Sequence, residues 1–315
     1  MLPFANLGGD PEQAYFADGI SEGLLNLLAQ VPDLRVIART SSCPFKGKDV
    51  GIAEIAQQLN VAHVLEGSGR RSGDTLRVTA QLIRTSDSSH LWSRTYDREM
   101  TDVFEVQDEI ADAVVGQLKI KLLGAAPRSR VTDLEAYEKF LLARQLGQQW
   151  TEEGLATSSA LLKEVVAKDP GHVEAWRLLA RDSMNMAYLG LRPIAAAYAE
   201  ARQYVDEALA IDPNYGRGHD GLASIALYYD RDLKVAAREW RRALQLDPGN
   251  AIIVSNSASL LDALGRHDES IAVGRYAVSR DPLNPLNHAQ LGWSYYFAGR
   301  LDESAETFRT ASKLS

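Results

Sequence analysis

Two spacings of apolar residues divide the chain. Up to about residue 124, runs that alternate every second residue are mixed with runs that follow the helical spacing of about 3.6 residues. From residue 133 onward only the helical spacing recurs. We therefore predict an α+β domain over residues 1–124, a linker over 125–132 and an all-α array over 133–315.

The first part of the chain has the pattern of a βαβ unit. A short apolar run at 1–5 is followed by turn residues at Gly8–Pro11 and by a helical pattern over Phe16–Leu28. The β-branched run at 34–38 then predicts a second strand, parallel to the first. A short helix is expected over 52–59.

Three alternating runs predict an antiparallel meander. Val64–Arg70 and Thr75–Ile83 flank the turn residues Ser72–Asp74, and His90–Tyr96 follows a second turn. A long amphipathic helix over about 102–122 completes the domain. The first domain is therefore predicted to hold a mixed sheet with helices.

The C-terminal part is divided by a recurring Asp-Pro pair. Proline lacks the N–H that a helix needs and disfavours helix at the preceding residue, so each pair marks the end of a helical unit. The intervals between the four pairs are 43, 35 and 34 residues, and such a period indicates repeats. The pairs are Asp169-Pro170, Asp212-Pro213, Asp247-Pro248 and Asp281-Pro282.

The last unit carries the most complete pattern. Counted from Pro285, the residues at positions 7, 8, 11, 24 and 27 are Leu291, Gly292, Tyr295, Phe308 and Ala311. This spacing resembles the tetratricopeptide (TPR) repeat, a pair of antiparallel helices of about 34 residues. The resemblance implies about five helix pairs in a solenoid whose concave face is formed by the first helix of each pair.

Two units are longer than the repeat. The second holds nine extra residues, which are expected to lengthen its helices or the loop over Gly190–Pro193. The third holds one extra residue near Asp230–Asp232.

Several motifs of the first domain resemble the TolB-amino-terminal-like domain, over about residues 1–122. They are Leu2–Pro11, Tyr15–Gly19, Val36–Ser42, Val64–Ser68, Ala80–Ile83 and His90–Ser93. In that family the domain typically precedes TPR repeats. The upstream part is a class III adenylate or guanylate cyclase, a CadC-like winged-helix regulator or a kinase, often beyond a transmembrane helix. The resemblance implies that this chain is a fragment or a truncated reading frame.

The overall composition narrows the possible partners. With 45% apolar and 24% charged residues, the chain has the make-up of a globular protein long enough for two domains. The net charge is −8, and neither half has the basic surface that sequence-independent nucleic-acid binding needs. No run reaches the roughly 18 to 20 apolar residues of a membrane span. Nucleic acid and direct membrane contact are therefore not predicted.

No catalytic, cofactor or metal motif is found. Cys43 is the single cysteine, and the six histidines are scattered without metal-ligand spacing. Gly67–Gly69 leads into a hairpin rather than a helix, so it does not match a phosphate-binding loop. The chain is therefore predicted not to be an enzyme.

A cationic patch on the hairpin is one candidate site. Arg70, Arg71 and Arg77 together would attract a phosphate or carboxylate. The alternative is that these charges only prevent an exposed strand from pairing with other chains.

The second candidate is the concave face of the array. Arg177 and Arg181 lie four residues apart on one helix and Arg217 starts the next unit, so an acidic peptide is a reasonable ligand. The Lys-Asn pattern of chaperone-tail-binding repeats is missing, which argues against recognition of a terminal carboxylate. The predicted groove residues are Arg177, Arg181, Arg217, Asp220, Ser224, Tyr228, Asp262, Trp293 and Tyr296.

The last predicted helices carry Trp293, Tyr296 and Phe297 without a polar capping helix after them. Solenoids usually need such a cap for solubility, so we expect either further repeats in a longer protein or self-association through this end.

These patterns favour a non-catalytic region that binds a protein or peptide and modulates an output domain absent from this chain. Two alternatives stay open: a fragment of a class III nucleotide cyclase or kinase whose catalytic domain is missing, and a free-standing assembly scaffold. A transmembrane helix upstream would place the chain in the periplasm, and its absence would place it in the cytoplasm.

Overall fold

The protein forms two compact units, Met1–Leu134 and Glu135–Ser315. The computed structural model describes residues 1–8, 14–29, 31, 34, 36–37, 39–46, 48, 50–118 and 133–314. The predicted linker, most of the predicted turn at 8–11 and the predicted helix beyond 118 lie outside the described residues.

A four-stranded mixed sheet organises the first unit. Strand β1 runs parallel to β2, and β2, β3 and β4 are antiparallel neighbours in the order β1-β2-β3-β4. The predicted hairpin and third meander strand are therefore confirmed. The strands are β1 (Ala5–Asn6), β2 (His63–Ser72), β3 (Thr75–Arg84) and β4 (Ser89–Glu99).

Four helices accompany the sheet within the described residues. The predicted helix over 52–59 is confirmed as α3, and the long helix after the meander as α4. The helices are α1 (Ala14–Ala29), α2 (Arg39–Ser42), α3 (Ile52–Leu59) and α4 (Val103–Gln117).

The predicted strand at 34–38 is wrong. Its described residues Leu34, Val36 and Ile37 form no strand, and the parallel neighbour of β1 is β2 instead. Ile37 is buried, and Leu34 and Val36 pack against the core cluster. Strand propensity largely reflects a half-buried environment, so an apolar β-branched segment can be buried without pairing.

The core of the first unit lies on one face of the sheet. Alternation along β3 directs Leu76, Val78, Ala80 and Leu82 to that face, where they share a cluster with α1 and α4. Phe4, which precedes β1, is fully buried in the same cluster.

From Leu134 onward, the described residues form ten α-helices in five antiparallel pairs. Their bounds are α5 (Leu134–Gly147) with α6 (Glu152–Lys168), α7 (Val173–Tyr188) with α8 (Ile194–Ile211), α9 (Gly216–Ile225) with α10 (Leu233–Leu246), α11 (Ala251–Ala263) with α12 (His267–Arg280), and α13 (Pro285–Phe297) with α14 (Leu301–Leu314). The array is a TPR-like solenoid.

The Asp-Pro pairs act as predicted and also start the following helix. Asp247 and Asp281 end α10 and α12, and each amide donates to the carbonyl four residues earlier. Asn250 then caps α11, and its side chain is held by the Asp247 carboxylate at 2.8 Å. Asn284 repeats this contact with Asp281 at 2.9 Å. Each of these aspartates thus ends one helix and holds the asparagine that caps the next.

The extra residues of the second and third repeats lie mainly within helices and not in the connecting loops. The second pair has helices of 16 and 18 residues, joined by the short segment Leu189–Pro193. In the third pair, α9 continues into a π-helical turn at Ala226–Asp230, which accommodates one added residue without breaking the helix. Arg231 then takes a left-handed conformation, with φ of 60°, to start the turn.

None of the described helices is both long and apolar enough to cross a bilayer.

Candidate protein-binding groove

The nine predicted groove residues all lie on the first helices of the second to fifth pairs. Arg177 and Arg181 are on α7, Arg217, Asp220 and Ser224 on α9, Tyr228 on its π-helical turn, Asp262 on α11, and Trp293 and Tyr296 on α13. We call this surface the groove.

The groove arginines are matched by carboxylates. Arg177 makes a bidentate contact with Glu174, at 2.8 and 2.6 Å. Arg181 contacts Asp182 at 2.8 and 2.6 Å. The three positive charges that suggested an acidic ligand are therefore balanced by Glu174, Asp182 and the Asp220 beside Arg217.

Arg217 differs from the other two arginines. Its Nε lies 3.8 Å from the Asp220 carboxylate and makes no hydrogen bond within the described part of the chain. This Nε is buried, while the Arg217 side chain as a whole is 23% exposed.

Asp220 joins two pairs instead of facing a partner. It is 5% exposed and accepts hydrogen bonds from Trp240 Nε1 at 2.9 Å and from Asn256 Nδ2 at 3.0 and 3.1 Å. Trp240 belongs to the same pair, on α10, and Asn256 to the next, on α11. We correct the prediction for Asp220, because burial assigns it to the packing of the array.

Asp262 is corrected in the same way. Its side chain is 4% exposed, accepts a hydrogen bond from Ser294 Oγ at 3.0 Å and lies 3.5 Å from His267 Nδ1. Ser294 also contacts Ser270 Oγ at 2.7 Å, so this polar cluster joins the fourth and fifth pairs. Ser224 is partly buried.

The three aromatic residues are the accessible part of the groove. Tyr228, Trp293 and Tyr296 are each about half exposed. Tyr228 is held by a hydrogen bond from its hydroxyl to Ser259 Oγ at 2.9 Å. Trp293 packs edge to face against Tyr296 and Phe308, with ring centroids at 5.8 and 5.3 Å. Such held but accessible rings offer large contact area at low entropic cost.

A partly buried ion pair stabilises the α7 end of the groove. Burial alone raises the pKa of Glu174, but the charge and hydrogen bonds of Arg177, the charge of Arg217 and the Tyr215 hydroxyl lower it to about 2. Tyr215 donates that hydrogen bond from the turn before α9. The pKa of Tyr215 is raised, mainly by burial and by the Glu174 charge.

Glu174→Gln is expected to flatten the loss of stability in acid. A carboxyl whose pKa is lowered on folding stabilises above its ordinary value of 4.5, and that contribution is lost as the pH falls towards about 2. The thermal midpoint of the variant, followed by circular dichroism, should therefore fall less over this range than that of the unaltered chain.

The matched control is Glu306→Gln, at an exposed carboxylate on α14. Equal acid-induced losses in the unaltered chain and in Glu174→Gln would contradict the assigned role of Glu174.

The predicted anion patch is not brought together. The register places Arg70 opposite Arg77 but Arg71 opposite Leu76, so Arg71 points to the other face of the sheet. Arg77 makes a bidentate ion pair with Asp97, at 2.5 and 3.0 Å. Arg71 Nε donates to the Gly73 carbonyl at 3.2 Å. The three arginines therefore do not form one anion site.

Sequence reasoning missed the residues that complete the groove network. Glu174 occupies the same position within its repeat as Arg217 does in the next repeat. The numbering of repeat positions that selected Arg217 therefore also selects Glu174. Tyr215 and Asn256 gave no such signal, because their partners lie 41 and 36 residues away. Among the described residues, no group of three or more His, Cys, Asp or Glu could hold a metal ion.

Comparison with known proteins agrees with this architecture. A protein of Rhizobium meliloti (strain 1021) named "Putative adenylate cyclase 3" is 37% identical over 244 residues, which cover 75% of this chain and 41% of that protein. "Small glutamine-rich tetratricopeptide repeat-containing protein 2" of Mycosarcoma maydis is 27% identical over 79 residues, 25% of this chain and 22% of that protein. The chain thus spans about two fifths or less of the length of these relatives.

Solved TPR structures resemble it more distantly. A thermophilic TPR protein of Thermus thermophilus is 22% identical, with a TM-score of 0.47, covering 57% of this chain and 91% of that one. MamA is 20% identical, with a TM-score of 0.36, covering 53% and 92%. The family model described as tetratricopeptide repeat matches residues 222–285. The chain therefore contains tetratricopeptide repeats, a fold of protein interaction.

Proposed function

We propose that this chain is a non-catalytic regulatory region whose groove binds a segment of a partner protein and modulates an output domain outside this sequence. The observation that carries the proposal is the set of half-exposed rings on the groove, Tyr228, Trp293 and Tyr296. Aromatic side chains held in place but open on one side are the residues that most often dominate protein binding energies.

The accessible side chains of the groove indicate which partner chemistry it would favour. The aromatic rings favour apolar or aromatic side chains on the partner. A preference for acidic segments stays part of the proposal and rests on the Arg217 side chain, which is 23% exposed and lies 3.8 Å from its nearest carboxylate, Asp220. A partner carboxylate beside Arg217 would form a charge-assisted hydrogen bond, which is stronger than a neutral one.

The output domain is proposed from the relative. The Rhizobium meliloti protein carries the word cyclase in its name, and 59% of its length lies outside the match (100 − 41). We propose that the parent of this chain is a nucleotide cyclase of that kind, with the first unit as a TolB-amino-terminal-like domain. On this view the repeats sense a partner and the cyclase responds.

Peptide binding to the whole chain tests the groove. An array of short peptides, varied in acidity and aromatic content, should yield saturable ligands. Tyr296→Ala is expected to weaken the best ligand by about 30-fold, the loss typical of an interface hot spot. Arg217→Gln should weaken acidic ligands more than neutral ones.

The matched control is Tyr276→Ala, because Tyr276 is equally exposed but lies on α12, the second helix of its pair. It should leave affinity unchanged. A ligand that binds Tyr296→Ala and the unaltered chain equally well would show that the groove is not the binding surface.

A further inference from the structure

A second apolar surface lies at the tips of the first three helix pairs. We call it the turn patch. Its members are large side chains that are at least about two fifths exposed, and they come from the turns between the two helices of a pair: Trp150, Tyr188, Leu189, Leu191, Ile194 and Tyr229.

Ring contacts make the turn patch continuous across pairs. Trp150 of the first pair meets Tyr188 of the second edge to face, with centroids 6.1 Å apart. Ile194 and Tyr198 are four residues apart on α8 and so share a face. Tyr198 in turn stacks on Tyr229 of the third pair, with centroids 5.1 Å apart and planes 13° apart.

The shape of the turn patch disfavours a peptide ligand. Peptides and small molecules bind in concave sites. Gly190, at the tip of the central turn, has a φ of 72°, and a side chain added there would meet nothing within 4 Å. The tip of this central turn is therefore open on its outer side and not set in a pocket.

Its charge disfavours an anionic membrane. Such membranes recruit clusters of lysine and arginine. Arg192 and Arg202 are in ion pairs with Glu200 and Asp230. Arg231, beside Tyr229, is one exposed cation and not a cluster, and the rim beside Trp150 carries the exposed acids Glu152 and Glu153.

We propose that the turn patch is the contact surface of a homodimer. A two-fold interface places the same patch on both partners, and a patch without ionised side chains among its members meets its copy without like-charge repulsion. A fully buried aromatic side chain covers about 150–250 Å². With the six partly exposed members taken at on the order of 100 Å² each, the patch offers roughly 600 Å². This corresponds to about 1,200 Å² over two partners, the lower bound of specific interfaces.

The proposal does not depend on groove binding, and sedimentation of the full chain over a concentration series tests it. The unaltered chain should show a reversible monomer–dimer equilibrium. The double variant Tyr188→Ser/Ile194→Ser should raise the dimer Kd by about 100-fold, because it removes two contact side chains that are each more than half exposed. Its thermal midpoint should stay unchanged, because both side chains are exposed.

Two controls separate this surface from others. Tyr276→Ser, on α12, should leave the dimer intact, and Trp293→Ser tests association through the last helix pair. The proposal is overturned if the chain is monomeric at every concentration, if Tyr188→Ser/Ile194→Ser still dimerises as before, or if only Trp293→Ser dissociates the dimer.

Discussion

Replacing Trp240 with alanine is expected to lower the free energy of unfolding of the repeat array by about 3–5 kcal/mol. Trp240 is 2% exposed and fills the space left by the small residues Ala223, Ala236 and Ala243. Alanine would leave a large cavity that these methyl groups cannot close. It would also remove the hydrogen bond to Asp220. Urea unfolding followed by far-ultraviolet circular dichroism measures the change.

Two variants divide this effect into its parts. Trp240→Phe keeps most of the packing and removes the N–H donor, so it should cost less than alanine. Its remaining cost should be about 1–3 kcal/mol, the loss of the hydrogen bond to the Asp220 carboxylate, which both variants share. Arg241→Ala, at the exposed neighbouring position, should change stability by less than about 0.5 kcal/mol. A cost below about 1 kcal/mol for Trp240→Ala would argue against this core.

Gly67→Ala is expected to destabilise the first unit by about 3 kcal/mol, near the upper end of overpacking effects. An added Cβ would lie 2.2 Å from the backbone carbonyl oxygen of Thr79 and 2.8 Å from the Phe4 ring. Thr79 is on the neighbouring strand β3 and Phe4 is fully buried, so neither can move without disturbing the sheet. The transition of the first unit would be followed in urea.

Gly116→Ala is the matched control. Gly116 is exposed on α4, in the same unit, and a Cβ there meets nothing within 4 Å. Alanine should stabilise this helix by about 0.5–1 kcal/mol. If Gly67→Ala were as stable as the unaltered chain, Phe4 could not lie over β2 as described.

The predictions that the structure confirms are those that depend on neighbouring residues. Turn chemistry at Ser72–Asp74 and alternation on both sides of it predicted the hairpin, because a strand pair with a tight turn is a local structure. The recurring Asp-Pro predicted the ends of helices for the same reason. Both the helix end and the next cap, Asp281 and Asn284, lie within four residues.

The predictions that failed depend on which segments meet. The run at 34–38 has strand-like residues, but a strand needs a partner with free hydrogen bonds, and the described neighbour of β1 is β2. The arginines of the hairpin were grouped by sequence proximity, whereas strand register places Arg71 on the opposite face from Arg70 and Arg77. A one-residue difference in a strand reverses the side chain.

In the groove, too, some features follow from local sequence and others from tertiary contacts. The sequence by itself determined that the first helices carry arginines and aromatic rings at repeat positions, because helical spacing is set by backbone geometry. Only the tertiary structure decided that Asp220 and Asp262 are buried between pairs, that Tyr215 completes the Glu174 ion pair, and that the rings stay exposed. Those outcomes depend on contacts between residues up to 41 positions apart, which no local pattern encodes.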